Sequence, residues 1–450
     1  MDSALQEISS RLDSSLQQSK ERSSFNDPAF ASNKLLPIHR WVPWIAGFSS
    51  EFVRDALNKV IKNGGVVLDP FSGVGTTLVE AVLSGHKATG FEVNPYAALA
   101  CRVKVEASQI SVEVLNEEIL KFQDFYSSAI LSSYTPQSTA PTGFKTRASF
   151  YSPNVLKKVL IVQDFIASVQ DVRLQNLFKL AFASTMIRYS NYSYEPSLSR
   201  RVSAGKEEVL DFSVDQIILS KLIDMSDDIK WLRNNFTITT NTKVINDSFF
   251  NYEKYLSLHS IDLIITSPPY LNNYHYNRNT RPQLYWLGYV AHPQDMKPLE
   301  YVNFGKYWQT VRDKEYLDLD FSIPNLDLEE KIKAIRKLNT DKGIYGGNGW
   351  ANYAASYFND CYRFAKAIKY CLKSGGMAFV VMGNSILQGI SIPTDRYFGK
   401  IAEFVGLELV KIDIPRATRV GNSIIHSDVR VAKAQKSHQL YEAVVVLRKV

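Results

Sequence analysis

The sequence predicts an α/β fold: a doubly wound, mainly parallel sheet of seven strands that carries a large helical insertion. Three observations point there. Short apolar runs alternate with segments of helical period near both ends of the chain, the pattern of strands buried on both faces beneath packed helices. The 450 residues are too many for one ordinary core of about 100–200 residues. The excess falls into two long excursions and shows no internal repeat.

In chain order, residues 1–34 read as a polar, Ser/Gln-rich helix and linker, with Leu5, Ile8, Leu12 and Leu16 at helical spacing and a break at Asn26-Asp27-Pro28. Pro37–Trp44 is aromatic and punctuated by proline, hence an irregular packed loop. Ser49 and Ser50 can cap a helix through Lys62, with Glu51 in its first turn. Val66–Asp69 is a strand; a glycine turn, a helical run at Thr77–Leu83 and a strand at Ala88–Glu92 follow. Residues 35–104 thus form the first half of a sheet domain. Residues 105–240 read as mainly helical, most clearly at Asn154–Val169 and Leu174–Ile187. Residues 241–450 resume the alternation, with strands at Thr242–Ile245, Asp262–Ile265, Met377–Met382, Leu407–Ile414 and Ala443–Leu447. A helix at Ala354–Leu372 precedes a turn at Ser374-Gly375-Gly376, and residues 290–350 form an irregular insertion with a glycine-rich end.

Composition excludes several classes. Hydrophobic residues at 45% and charged residues at 22% are the balance of a soluble globular chain. No stretch approaches the roughly 18 apolar residues of a membrane span. Asp2 and the lack of an apolar run argue against a secretory signal. Cys101, Cys361 and Cys371 make neither a disulfide framework nor a zinc spacing, which fits the cytoplasm, and the seven histidines include no His-Glu-x-x-His pair. No metal is expected. The net charge of +7 is uneven: between Gly143 and Lys206 stand ten Lys/Arg and three acids, an excess as large as that of the whole chain. Such a concentration suits a polyanionic partner, and a solvated helical face is the alternative.

The first chemical motif is Leu68-Asp-Pro-Phe-Ser-Gly-Val-Gly-Thr-Thr77, between a strand and a helix. Gly73 and Gly75 let the backbone approach a ligand at the helix N-terminus. The Gly-Lys-Ser/Thr ending of a phosphate loop is missing, and Leu78 stands where a dinucleotide fingerprint has its third glycine. Asp69 can pair with a cationic ligand end, and Glu92, at the end of the next strand, can hold ribose hydroxyls. The pair suits S-adenosylmethionine better than a pyrophosphate cofactor. The alternative makes Asp69 a helix cap and Glu92 a surface acid.

The second motif is Ser267-Pro268-Pro269-Tyr270, directly after Ile261-Asp-Leu-Ile-Ile-Thr266. Two prolines stiffen the strand's C-terminal corner and present carbonyl acceptors without competing N–H donors. With the Ser267 hydroxyl, those acceptors can orient an exocyclic amine, and Tyr270 offers a ring on which a base can stack. A strand that merely ends in a rigid turn is the plainer reading.

Together the motifs resemble the S-adenosylmethionine-dependent amino-methyltransferases of DNA, of the cytosine-N4/adenine-N6, restriction-modification type, especially those with a Ser-Pro-Pro-Tyr loop. His39-Arg-Trp-Val-Pro-Trp44, Leu271-Asn-Asn-Tyr-His-Tyr-Asn-Arg278, Leu284-Tyr-Trp-Leu-Gly288 and Met382-Gly-Asn-Ser385 extend the likeness over residues 35–100 and 240–450. The resemblance implies a Rossmann-like methyltransferase sheet. It also implies a cofactor set of Asp69, Pro70, Phe71, Ser72, Gly73, Gly75, Thr76, Glu92 and Asn94, with Asp247 at the adenine ring. Ser267, Pro268, Pro269 and Tyr270 are then catalytic. His39 and His275 are read as packing residues and Trp41 and Trp44 as core, although the resemblance puts the neighbourhood of the two tryptophans near the methionine end of the cofactor.

Double-stranded DNA is the implied partner, with a cognate restriction endonuclease as a further one. The basic insertion is the first choice for the DNA-contacting region, through Arg188, Tyr192, Arg200 and Arg201, joined by Tyr274 and Arg278 after the catalytic loop. No cysteine follows a proline, which disfavours covalent attack on cytosine C5, and zinc deamination lacks its His-x-Glu and Pro-Cys-x-x-Cys. Within the family, serine at the first catalytic position goes with the cytosine N4 amine and aspartate with adenine N6. Cytosine N4 in flipped-out duplex DNA is therefore the expected target, with adenine N6 next. An RNA base, a protein glutamine amide or a non-catalytic reader of DNA stand behind.

Overall fold

The computed structural model describes residues 30–44, 47, 49–62, 64–194, 197–238, 241–271, 276–419 and 439–450. Seven strands make the central sheet: β1 (Val66–Asp69), β2 (Lys87–Phe91), β3 (Thr242–Ile245), β4 (Ile261–Thr266), β5 (Leu372–Gly383), β6 (Glu408–Arg419) and β7 (Gln439–Arg448). Their order is β6-β7-β5-β4-β1-β2-β3. Strands β1 to β5 run parallel, and β7 lies antiparallel to both β5 and β6. The chain winds outward from β1 to β3, then returns to the other side of β1 at β4. That reversal opens a crevice beyond the C-terminal ends of β1 and β4.

Alternation along the strands builds two cores. Val67, Leu263, Ile265, Phe379, Val381, Val444 and Val446 face one side, while Leu68, Ile264, Val380, Met382, Val445 and Leu447 face the other. The first face is covered by α1 (Ser50–Val60), α2 (Thr76–Leu83) and α3 (Pro95–Val105), and its core continues without a break into α4 (Val112–Leu131), α5 (Pro153–Ser168), α6 (Val172–Thr185) and α7 (Val214–Asn235). The helical insertion therefore shares a core with the sheet. On the second face lie α8 (Gly347–Cys371) and α9 (Thr394–Phe404). Among the described residues no helix is long and apolar enough to cross a membrane.

The structure departs from the sequence pattern in several places. The Ser374–Gly376 turn lies inside β5, with Gly375 at φ 77° and a register shift opposite Ile261–Leu263. Helix α8 begins at Gly347, well before Ala354, because its glycines allow contact with backbone: a Cβ on Gly347 would stand 2.0 Å from the Ile335 carbonyl oxygen. The 290–350 insertion contains helices at Met296–Tyr301, Trp308–Val311 and Leu328–Arg336. Tyr192–Tyr194 pairs with Leu198–Arg200 as a short antiparallel hairpin within the helical region. The proposed helix within residues 1–34 falls almost wholly outside the described residues.

Candidate active site

The cofactor loop is fastened from below. Asp69 ends β1 and Thr266 ends β4, and the Thr266 hydroxyl donates to Asp69 Oδ1 at 2.6 Å. The Phe71 N–H donates to the same oxygen at 3.0 Å, and Ser72 Oγ donates to the Asp69 carbonyl at 3.0 Å. Asp69 is buried, with Oδ2 unpartnered among the described residues, and burial pushes its carboxyl up to about 6. It caps no helix: the N-cap of α2 is Gly75, at φ 87° and so tight that a Cβ would meet Cys101 Sγ at 2.7 Å. Strand β2 stops at Phe91, which leaves Glu92 to reach back to the loop. Its Oε2 accepts from the Gly73 N–H at 2.8 Å and its Oε1 from the Asn94 N–H at 2.7 Å. Burial pushes Glu92 up to about 7 against those two bonds.

A cleft opens at this point. Gly73, Glu92 and Asn94 line one wall, Ser267 and Pro269 another, and Phe249 and Phe304 supply apolar surface. The cofactor loop and the proline corner thus face one space. Trp44 and Tyr276 close a side with stacked rings, centroids 6.1 Å apart at 10°. A second cleft shares both rings and extends to Arg188, Tyr194 and Gln283. Asn94 caps α3 with its Oδ1 and donates from Nδ2 to Asn277 Oδ1 (3.0 Å) and Thr280 (2.7 Å). That leaves Asn277 Nδ2 buried in the cleft wall, unpartnered among the described residues.

Of the expected cofactor residues, Pro70, Phe71, Gly73, Glu92 and Asn94 line the cleft, whereas Asp69, Ser72, Gly75 and Thr76 are buried behind it. Asp69 therefore acts as the fastening of the loop, where the sequence had it facing a cationic ligand end. Asp247 is displaced too. Its oxygens accept from Ser248 N–H, Asn251 Nδ2 and Tyr255 OH at 2.7–2.9 Å, and Ser248, Phe249 and Phe250 line the cleft in its place. Partial burial pushes the Asp247 carboxyl up, but these bonds outweigh it and hold the group below the usual range.

In the catalytic loop Ser267 and Pro269 line the cleft, and Pro268 is buried. Tyr270 does not line it. The Tyr270 ring lies against Gly383 and its hydroxyl donates to Glu442 Oε1 at 3.2 Å, so Trp44 and Tyr276 are the aromatic faces in reach. Of the expected DNA contacts, Arg188, Arg200 and Arg278 are exposed. Tyr192 is a core residue, stacked on Phe150 at 5.5 Å, and Arg201 donates to the Glu207 carbonyl at 2.9 Å. Aromatic and basic density had marked Tyr192 without showing which way it faced. Tyr274 and His275 lie outside the described residues. His39 is buried on Glu80 at 2.8 Å, and all three thiols are buried and pushed up by that burial.

Tyr276, Asn277, Phe249 and Phe304 are cleft residues that were not singled out for this site, whereas Trp44 lies in the neighbourhood that the family resemblance put near the methionine end of the cofactor. The position of Tyr276 and Asn277 just after the catalytic loop is a signal for those two, and nothing local separates Trp44 from the fully buried Trp41.

A family model described as DNA methylase, for N6 and N4 methyltransferases, matches residues 10–101. The chain is 25% identical over 449 residues to the type II methyltransferase M.BsoBI of Geobacillus stearothermophilus, covering 90% of this chain and 85% of the relative. It is 26% identical over 425 residues to the type II methyltransferase M.AvaI of a Nostoc species, covering 88% and 84%. Over most of its length the chain is similar to type II DNA methyltransferases. Among solved structures, TrmN from Thermus thermophilus gives a TM-score of 0.28 at 8% identity, over 90% of this methyltransferase and 49% of that chain, and adds nothing to the strand order.

The similarity implies S-adenosylmethionine as methyl donor, and the cleft fits it. Glu92 presents a carboxylate for ribose hydroxyls, the phenylalanines form a slot for a flat base, and Asn277 Nδ2 is a bare donor for a carboxylate.

Proposed function

We propose that this methyltransferase modifies the N4 amine of cytosine within a specific duplex DNA word. One observation carries the reading: Glu92 and Ser267 open onto the same cleft, with Ser267 leading a Ser-Pro-Pro-Tyr corner. Bound S-adenosylmethionine supplies an electrophilic methyl group on its sulfonium. Glu92 holds the ribose, Phe249, Phe250 and Phe304 hold the adenine, and Asn277 the amino-acid carboxylate. The Asp69–Thr266 bond keeps the loop still while they do so. Ser267 Oγ and the Pro268 carbonyl accept the amine N–H groups and aim the nitrogen, so that positioning supplies most of the rate.

The duplex approaches the side bearing Arg188, Arg200 and Arg278, all exposed, with Arg188 on the second cleft. These side chains hold phosphates, and residues 105–240 form the target-recognition region. Extrusion of the base costs a few kcal/mol, and the aromatic pair Trp44–Tyr276 receives it. A cognate endonuclease in the same cytoplasm would cut the word left unmethylated.

Digestion of treated, unmethylated DNA to nucleosides tests the assignment by mass. The expected product is 4-methylcytosine. Only 6-methyladenine would move the assignment to adenine, and no methylated nucleoside would favour a reader.

A further inference from the structure

The catalytic corner is wired to β7, two strands away from β4. Ser267 Oγ donates to Tyr270 OH at 3.4 Å, and Tyr270 OH donates to Glu442 Oε1 at 3.2 Å. Glu442 lies on β7 directly opposite Gly383 of β5. The absent side chain at Gly383 creates the space for this route, since a Cβ there would stand 2.9 Å from Tyr270 Cδ2. Burial, and after it the Glu442 charge, push the Tyr270 phenol far up, so it keeps its proton.

We propose that Glu442 is a positioning residue that fixes the direction of the Ser267 hydroxyl and so makes Ser267 an acceptor toward the target amine. This rests on the amine-orienting role proposed for Ser267. A carboxylate only accepts hydrogen bonds, so the single Tyr270 proton is committed to it. The phenolic oxygen is then left to accept, and it takes the Ser267 proton. What Ser267 shows the cleft is lone pairs, which match the N–H donors of an exocyclic amine. Without an acceptor at 442 the Tyr270 proton can turn to Ser267 Oγ. The serine proton then points at the cleft and meets N–H with O–H.

The test compares Glu442→Leu, Glu442→Gln and Ser267→Ala, and the double variant Ser267→Ala/Glu442→Leu, in the full chain. Readouts are kcat, cofactor KM and thermal unfolding. Glutamine keeps an acceptor oxygen, so Glu442→Gln stays within about threefold of wild-type kcat, while Glu442→Leu loses roughly tenfold, the size of one net hydrogen bond, at unchanged cofactor KM. In the Ser267→Ala background the Glu442→Leu loss disappears, because no hydroxyl remains to direct. Equal losses in both backgrounds, or a glutamine variant as poor as the leucine, would overturn the polarity role and leave the Ser267 reading intact. A Ser267→Ala protein at the wild-type rate would overturn both.

Discussion

Thr266 Oγ1 lies 2.6 Å from Asp69 Oδ1, a bond that joins the ends of β4 and β1 and so ties the catalytic corner to the cofactor loop. Thr266→Val removes the donor and leaves that oxygen with the Phe71 N–H alone. Burial has already raised Asp69 to about 6, and losing a donor to the charged form raises it further. The cost therefore grows as pH rises through 6 and shrinks where Asp69 is protonated in both proteins. Urea unfolding should show a loss of about 1–3 kcal/mol at pH 8 and a smaller one at pH 5.

The ribose-holding role proposed for Glu92 predicts a pH-dependent cofactor affinity. The Glu92 carboxyl is raised to about 7, and ribose hydroxyls favour the charged form, so affinity should rise from pH 6 to pH 8 with release of a proton. Calorimetry with S-adenosylhomocysteine in two buffers of different ionisation enthalpy reads that proton. Glu92→Gln should bind more weakly and lose this proton release; an unchanged proton count would place the linkage elsewhere.

Asp228, on α7 of the insertion, holds the segment that delivers Trp44 to the cleft. Its carboxylate accepts from Ile38 N–H (2.8 Å), Trp41 Nε1 (2.9 Å) and the Nε and Nη2 of Arg40 (3.1 and 2.7 Å). Asp228→Ala should destabilise the protein by about 2–3 kcal/mol, below a fully buried pair because Arg40 is about a third exposed. Cofactor affinity should fall as well, since the Trp44–Tyr276 wall loses its support. Chemical denaturation and a binding isotherm check the two effects separately.

The legible parts of this protein were those written locally. Strand alternation at Val66–Asp69 and Ile261–Thr266, the glycines at 73 and 75 and the double proline each state a backbone requirement within a few residues, and the sheet followed from them. The pairings that close the site walls were not legible, because Trp44 meets Tyr276, and Asn94 meets Asn277, from segments far apart in the chain. Local pattern also says nothing of which acid faces a ligand: Asp69 turned inward to Thr266 and Asp247 closed on its own turn, while Glu92 stayed at the wall.

The most direct measurement is a crystal structure of the full chain with S-adenosylhomocysteine and a duplex carrying its target word. One shared cleft predicts the sulfur in the space between Glu92 and Ser267, with an extruded cytosine whose amine contacts Ser267 Oγ and the Pro268 carbonyl, about 3–4 Å from that sulfur. A cofactor seated there while the base lies in a separate cavity, out of contact with Ser267, would contradict it.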